Sequence, residues 1–104
     1  MTDRELLILA AKGAGHLTPS WYDSDAYISG FLSNWNPLTD DGDALRLAVK
    51  LGMDIHQVTY CKEPYAFVVS DAAVEPLEPY ESDPYAATRR AITRAAAEIG
   101  RQMK

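Results

Sequence analysis

Apolar residues recur at three- and four-residue steps in three stretches of the chain, and two short β-rich runs lie between the second and the third. Leu6, Leu9 and Ala10, widened by Leu7, predict a helix over about residues 3–12. Thr2 followed by Glu5 has the form of a capping box, and Gly13 and Gly15 supply the stop. A stripe that broad predicts a helix wedged well into the core. Ala44, Leu45, Ala48, Val49 and Leu51, with Leu47 at the margin, predict a second helix over about 40–51. Thr39 or Asp40 caps it, Asp40, Asp41 and Asp43 sit where the helix dipole favours negative charge, and Arg46 and Lys50 take the outer face. Gly52 ends it in a left-handed conformation. The third helix runs over about 84–102, with Asp83 as N-cap and Pro84 as first helical residue. Tyr85, Thr88, Ile92, Ala95, Ile99 and Met103 follow one face, and its many alanines allow close packing.

Between the second and third helices, residues 55–60 and 65–70 are rich in β-branched and aromatic side chains, and Cys61-Lys62-Glu63-Pro64 turns one into the other. They predict a β-hairpin. Val74 to Leu77 predicts a third strand, which Pro76 and Pro79 confine to an edge because proline has no N–H for the ladder. Earlier in the chain, 16–20 reads as loop and 23–25 as turn. The apolar stretch Ala26 to Leu32, broken by Gly30, reads as a short strand, and Trp35-Asn36-Pro37 as a bend. The expected fold is α+β: a small antiparallel sheet, made of hairpin 55–70 plus edge strands, covered by about three helices as an α/β sandwich. Residues 1–104 form a single domain, a length that buries one core without disulfide or metal staples.

Charge refines this picture. The chain carries 15 acidic and 10 basic residues, net −5, which argues against a nucleic-acid binder in bulk. The balance is uneven: residues 1–82 hold 13 acids and 5 bases, net −8, and residues 83–104 hold 2 acids and 5 bases, net +3. One cysteine, Cys61, excludes an intramolecular disulfide and suits a reducing compartment. The start Met1-Thr2-Asp3-Arg4-Glu5 is too acidic and too soon helical for a signal peptide, and no apolar run approaches bilayer length. Cytoplasmic residence, without membrane association, is expected.

The segments Trp35-Asn36-Pro37-Leu38-Thr39-Asp40-Asp41-Gly42-Asp43-Ala44-Leu45-Arg46-Leu47-Ala48-Val49-Lys50-Leu51 and Asp83-Pro84-Tyr85-Ala86-Ala87-Thr88-Arg89-Arg90-Ala91-Ile92 resemble small phage and prophage proteins. Those proteins carry the domain called the phage ABA sandwich, in which helices cover a small sheet. With the N-terminal helix, the likeness covers about two-thirds of the chain and leaves Gly15 to Ser33 unmatched. The resemblance implies a phage or prophage origin, a bacterial host cell as the setting, and a small α/β sandwich. It brings no catalytic residues with it.

Candidate chemistry is sparse. His16, His56 and Cys61 are the residue types that could form a metal or nucleophile site, but 56 and 61 fall on opposite faces of a strand and no CxxC or HxxxH spacing occurs. The run Asp40-Asp41-Gly42-Asp43 fails as a calcium loop, with Gly42 at the third position and Leu51 at the twelfth. It reads instead as compensation of a helix N-terminus. No phosphate loop and no GxSxG elbow is present, so no enzyme, cofactor or metal is expected. Two surfaces remain. The aromatic segment holds Trp21, Tyr22, Asp23, Asp25 and Tyr27, residue types suited to an interface, while Phe31 and Trp35 read as core. The last helix carries Arg90, Arg94 and Arg101 near one face with Arg89 beside it, suited to a phosphate or an acidic partner. The competing reading of those arginines is an outer face paired with nearby carboxylates. The expected function is therefore a non-catalytic phage accessory protein that binds a host or phage protein and inhibits host defence. The alternative is a nucleic-acid accessory protein using the basic helix. Sequence leaves monomer and homodimer both open.

Overall fold

The computed structural model describes residues 2–17, 25–70 and 77–103. Its element order is α1 (Asp3–Gly13), α2 (Asp25–Leu32), α3 (Asp41–Lys50), β1 (Asp54–Val58), β2 (Tyr65–Val69), β3 (Glu78–Pro79) and α4 (Pro84–Gln102). The strands form one antiparallel sheet in the order β1-β2-β3, with Ile55 opposite Val68 and Tyr65 opposite Pro79. Over the described residues the protein is a small α+β fold with four helices. None of them, among the described residues, is long and apolar enough to cross a membrane.

α4 organises the molecule. It packs against α1, α3, β2 and β3, so its buried band is wide: Ala87, Ala91, Ile92, Thr93, Ala95, Ala96, Ala97 and Gly100. Of the face expected from spacing, Ile92 and Ala95 are buried and Thr88 and Ile99 half-buried, while Tyr85, 69% exposed, and Met103 at its two ends face solvent. Small side chains dominate because two helices and the sheet press on one helix. Asp83 caps α4 by accepting from the N–H groups of Tyr85 and Ala86, both at 3.0 Å. Thr93 is fully buried yet satisfied, its hydroxyl donating to the Arg89 carbonyl at 2.8 Å.

The closest approach is between α1 and α4. Asp3 meets Arg90 near one end and Gly13 meets Gly100 near the other, so the two helices run in the same sense. A Cβ on Gly100 would lie 1.9 Å from the Leu9 carbonyl oxygen, and one on Gly13 would lie 2.3 Å from that of Ala96. Gly13 is thus a contact residue inside α1. Chain reversal falls to Gly15, at φ +77°. Of the capping box, Thr2 does accept from the Glu5 N–H at 3.1 Å. The Glu5 carboxylate receives the Thr2 hydroxyl rather than a backbone N–H.

Three expectations need correction. Residues 26–32 are the helix α2, not a strand: Ile28 points into a cluster with Ala11 and Leu17, and Phe31 and Leu32, three and four residues on, pack against it. The run is too short for its period to distinguish strand from helix, and the open space around Gly30 tolerates either. In α3 the buried stripe is Ala44, Leu47 and Ala48. Leu47 is central to it, whereas Leu45 and Val49 point outward, Val49 being 72% exposed. The third strand is Glu78–Pro79, with Leu77 exposed outside it. The positions 74–76 expected in it lie outside the described residues. Its two-residue length on the sheet edge fits the restriction proline imposes. Elsewhere Asp40 caps α3, Gly52 takes φ +64°, and the hairpin joins at Val58 and Tyr65.

Candidate functional site

The acidic run at the start of α3 is consumed structurally. Asp40 accepts from the Asp43 N–H at 2.8 Å. Asp43 accepts from the Asn36 N–H at 2.9 Å and from Arg46 at 2.8 Å. Burial pushes the Asp43 carboxyl up, but these donors outweigh it and hold the group below the usual carboxylate range. Asp41 pairs with Arg89 at 2.6 Å, and Arg89 Nε also donates to the Leu38 carbonyl at 2.9 Å. With its side chain only 17% exposed, Arg89 is a clamp on the 36–40 bend, separate from the other arginines.

Arg90, Arg94 and Arg101 do share a face, because positions four and seven apart on a helix align. They border a groove of about 370 Å³ between α1 and α4 whose floor is Leu6, Leu9 and Ala97. Each is met by a carboxylate: Arg90 by Asp3 at 3.4 Å, Arg94 by Glu78, and Arg101 by Glu98 through two hydrogen bonds of 2.6 and 2.9 Å. Hydrogen bonds from Arg101 and Gln102 hold the Glu98 carboxyl below its usual range. These pairs are solvent-exposed to varying degrees, and pairs of that kind contribute little to stability.

The sheet presents a second surface. Side chains alternate across a strand, so the fully buried Ala66 and Val68 face α4, while Tyr65, Phe67 and Val69 face the other way. On β1 the same outer face carries Asp54, His56 and Val58, opposite Val69, Phe67 and Tyr65. The His56 and Phe67 rings stack at 4.6 Å and 6°. On the inner side, Gln57 Nε2 donates to the Thr88 hydroxyl at 3.1 Å, that hydroxyl donates to the Pro84 carbonyl at 2.8 Å, and the Tyr80 hydroxyl donates to Gln57. This chain of bonds ties the hairpin to α4 and fixes which face is turned outward. An antiparallel sheet with one wet face ordinarily carries polar residues there. Here Val58, Tyr65, Phe67 and Val69 on that face are half-buried, beside the exposed Asp54 and His56.

Cys61 is exposed beyond β1, its thiol donating to the Glu63 carbonyl at 3.3 Å, apart from the stacked His56. Among the described residues no three His, Cys, Asp or Glu side chains gather as metal ligands. His16, in the segment that reads as loop, places its ring 5.5 Å from Phe31 and 5.4 Å from Trp35. Burial, then the nearby Lys50 charge, pushes the His16 pKa down against the opposing pull of Asp43. Trp35 packs against both hydrophobic clusters, and Phe31 packs against the one built on α2, as core residues should. Of the aromatic segment, Trp21, Tyr22 and Asp23 lie outside the described residues, Asp25 is the first residue of α2, and Tyr27 is 39% exposed on that helix. Only the periodicity of Leu6 and Leu9 against Arg90, Arg94 and Arg101 could have announced the groove. Nothing in Tyr65-Ala66-Phe67-Val68-Val69, apolar throughout, marks which side of the sheet turns outward.

Comparison with protein-family models, with curated proteins and with solved structures finds no match.

Proposed function

We propose that this chain is a non-catalytic binding module of phage or prophage origin that acts in the bacterial host cytoplasm by contact with another protein, inhibiting a host function such as defence. The observation that carries the binding reading is the outer face of the sheet, where Val58, Tyr65, Phe67 and Val69 stand together on the side away from α4. Contiguous apolar surface rimmed by polar residues marks interaction sites, and tyrosine and its aromatic relatives concentrate binding energy there. The phage origin, and with it the inhibitory role, rests on the resemblance of segments 35–51 and 83–92.

The test is crosslinking and capture with the tagged full chain in host lysate, beside a Phe67→Glu variant whose far-UV spectrum and melting match the parent. A stoichiometric protein partner retained by the parent and lost by the variant supports the reading. No stoichiometric partner, or one indifferent to Phe67→Glu, overturns it.

A nucleic-acid accessory role is favoured by one observation, the shared groove of Arg90, Arg94 and Arg101. It ranks second because a carboxylate already meets each guanidinium and the remaining chain is acidic. It requires salt-dependent DNA or RNA binding that Arg90→Glu with Arg94→Glu abolishes.

A further inference from the structure

Rings from three parts of the chain meet beside α2. His16, just past the end of α1, lies 5.5 Å from Phe31 near the end of α2 and 5.4 Å from Trp35 in the following bend. Phe31 and Trp35 lie 5.2 Å apart. We propose that this triplet is a proton-operated latch, in which protonation of His16 releases α2 from the end of α1 while the main core stays folded. This stands on the fold alone, apart from the reading of the chain as a protein-binding module.

The way α2 is attached makes it the part that moves. It packs into the small cluster of Ala11, Leu17 and Ile28, and none of its described residues belongs to the main core. Ile28 is its one buried side chain among those described, with Phe31 and Leu32 half-buried and Ala26, Tyr27, Ser29 and Gly30 exposed. Arg4 adds an exposed hydrogen bond to the Ser29 hydroxyl at 3.2 Å. A helix of eight residues has little stability of its own, and elements with few buried contacts open at a fraction of the global free energy. The other two rings are anchored elsewhere. The His16 N–H donates to the Ala11 carbonyl at 2.9 Å, and Trp35 packs against the main core as well as the small cluster. The line of parting therefore runs between Phe31 and its two ring neighbours.

The surroundings of His16 disfavour a cation. α3 turns Lys50 and Asp43 towards it, and Lys12 stands in the last turn of α1. Asp43, the one nearby acid, already accepts from the Asn36 N–H and from Arg46. On α2 the titratable residues are Asp25 and Tyr27, six and four positions before Phe31, and residues 33–36 carry no charge. Burial and then Lys50 push the His16 pKa down, against the pull of Asp43. With α2 released, the imidazolium reaches water and regains its ordinary affinity for the proton. The closed form thus binds the proton more weakly than the open one. Release begins as pH falls through the ordinary value of 6.5 and is complete below the closed-state pKa. Each pH unit between the two values raises the ratio of open to closed by up to about tenfold.

The experiment is amide hydrogen exchange of the full chain, read residue by residue by NMR and corrected for the intrinsic pH dependence of exchange. It runs from about pH 7.5 to about pH 5, where an ordinary histidine titrates. Protection of residues 28–32 should lie at least about tenfold below that of α4 at every pH and fall at least about threefold across the range. His16→Phe keeps a third ring without a proton to take up, and its α2 should show no such fall. His16→Gln should lose the pH dependence too, even with α2 looser at every pH. Protection of α2 that stays level in the parent, as an imidazolium held against the two rings would give, overturns the latch. So does a fall that survives in both variants. Equal protection of α2 and α4 marks unfolding of the whole molecule and overturns it as well. None of these outcomes depends on whether a cellular partner is captured.

Discussion

Replacing Gly100 by alanine isolates the packing of α1 on α4. In an exposed helix interior the change would help, since alanine exceeds glycine in helix propensity by about 1 kcal/mol. Here the new Cβ would sit 1.9 Å from the Leu9 carbonyl oxygen, 2.8 Å from its carbon and 3.0 Å from the Gly13 nitrogen. All three are backbone atoms, so no side chain can swing aside. Reaching an ordinary contact means parting the helices by about 1.5 Å, against packing whose optimum is sharply defined. Ala10, Ala11 and Ala96, all fully buried, would lose contacts in the same movement. Overpacking a core costs about 1–3 kcal/mol, and a backbone-on-backbone clash belongs at the upper end. Subtracting the propensity gain leaves a net loss of about 2 kcal/mol. For a domain of this size that lowers Tm by about 8–16 °C. Gly30→Ala is the control, because nothing lies within 4 Å of a Cβ there. It should be neutral or slightly stabilising. Thermal and urea unfolding followed by far-UV circular dichroism reads both. A Gly100→Ala protein at least as stable as the parent would refute the close approach.

Other outcomes follow from single contacts. His16 has a folded pKa below its ordinary value of 6.5, so the folded state binds fewer protons. Stability is therefore full above that value and declines as pH falls through it towards the folded pKa. Asp43, held below its ordinary 3.8, adds a further loss at lower pH as that carboxyl protonates. Melting recorded across pH should show the upper of these slopes vanish in His16→Phe. Arg89→Ala removes a donor to the Leu38 carbonyl and the partner of Asp41, and should cost about 1–3 kcal/mol in urea unfolding. Arg89→Lys should recover little, because an ammonium lacks the planar fork that reaches both acceptors. Asp83→Ala strips the cap from two N–H groups of α4 and should cost about 1 kcal/mol by the same assay.

The parts of the fold that local rules govern were legible in the sequence. Asp40, Asp83 and Gly52 announced helix ends because capping is decided within a few residues. The hairpin followed from β-branched runs around a proline-containing turn. What local rules could not show was which side of a helix meets a neighbour. Leu45 and Val49 are as apolar as Leu47, yet only Leu47 faces α4. In α4, packing against two helices and the sheet widens the buried band into alanines beyond the stripe of Ile92 and Ala95 that spacing marked. The seven-residue run from Ala26 to Leu32 satisfies a strand or a helix until Ala11 and Leu17 supply a surface for Ile28. For the site, the arginine row could be read from spacing, but the separation of Arg89 from it depends on a carbonyl 51 positions away.

The pairing of α1 with α4 also sets a schedule for synthesis. Gly100 follows Gly13 by 87 residues, and a ribosome adds about 5–20 residues per second. The first helix thus waits about 4–17 s for the surface that buries Leu6 and Ala10. An eleven-residue helix is marginal on its own in water, so through that interval it frays and re-forms with its leucines uncovered. Acquisition of structure by the nascent chain is thus gated by delivery of its final packing partner.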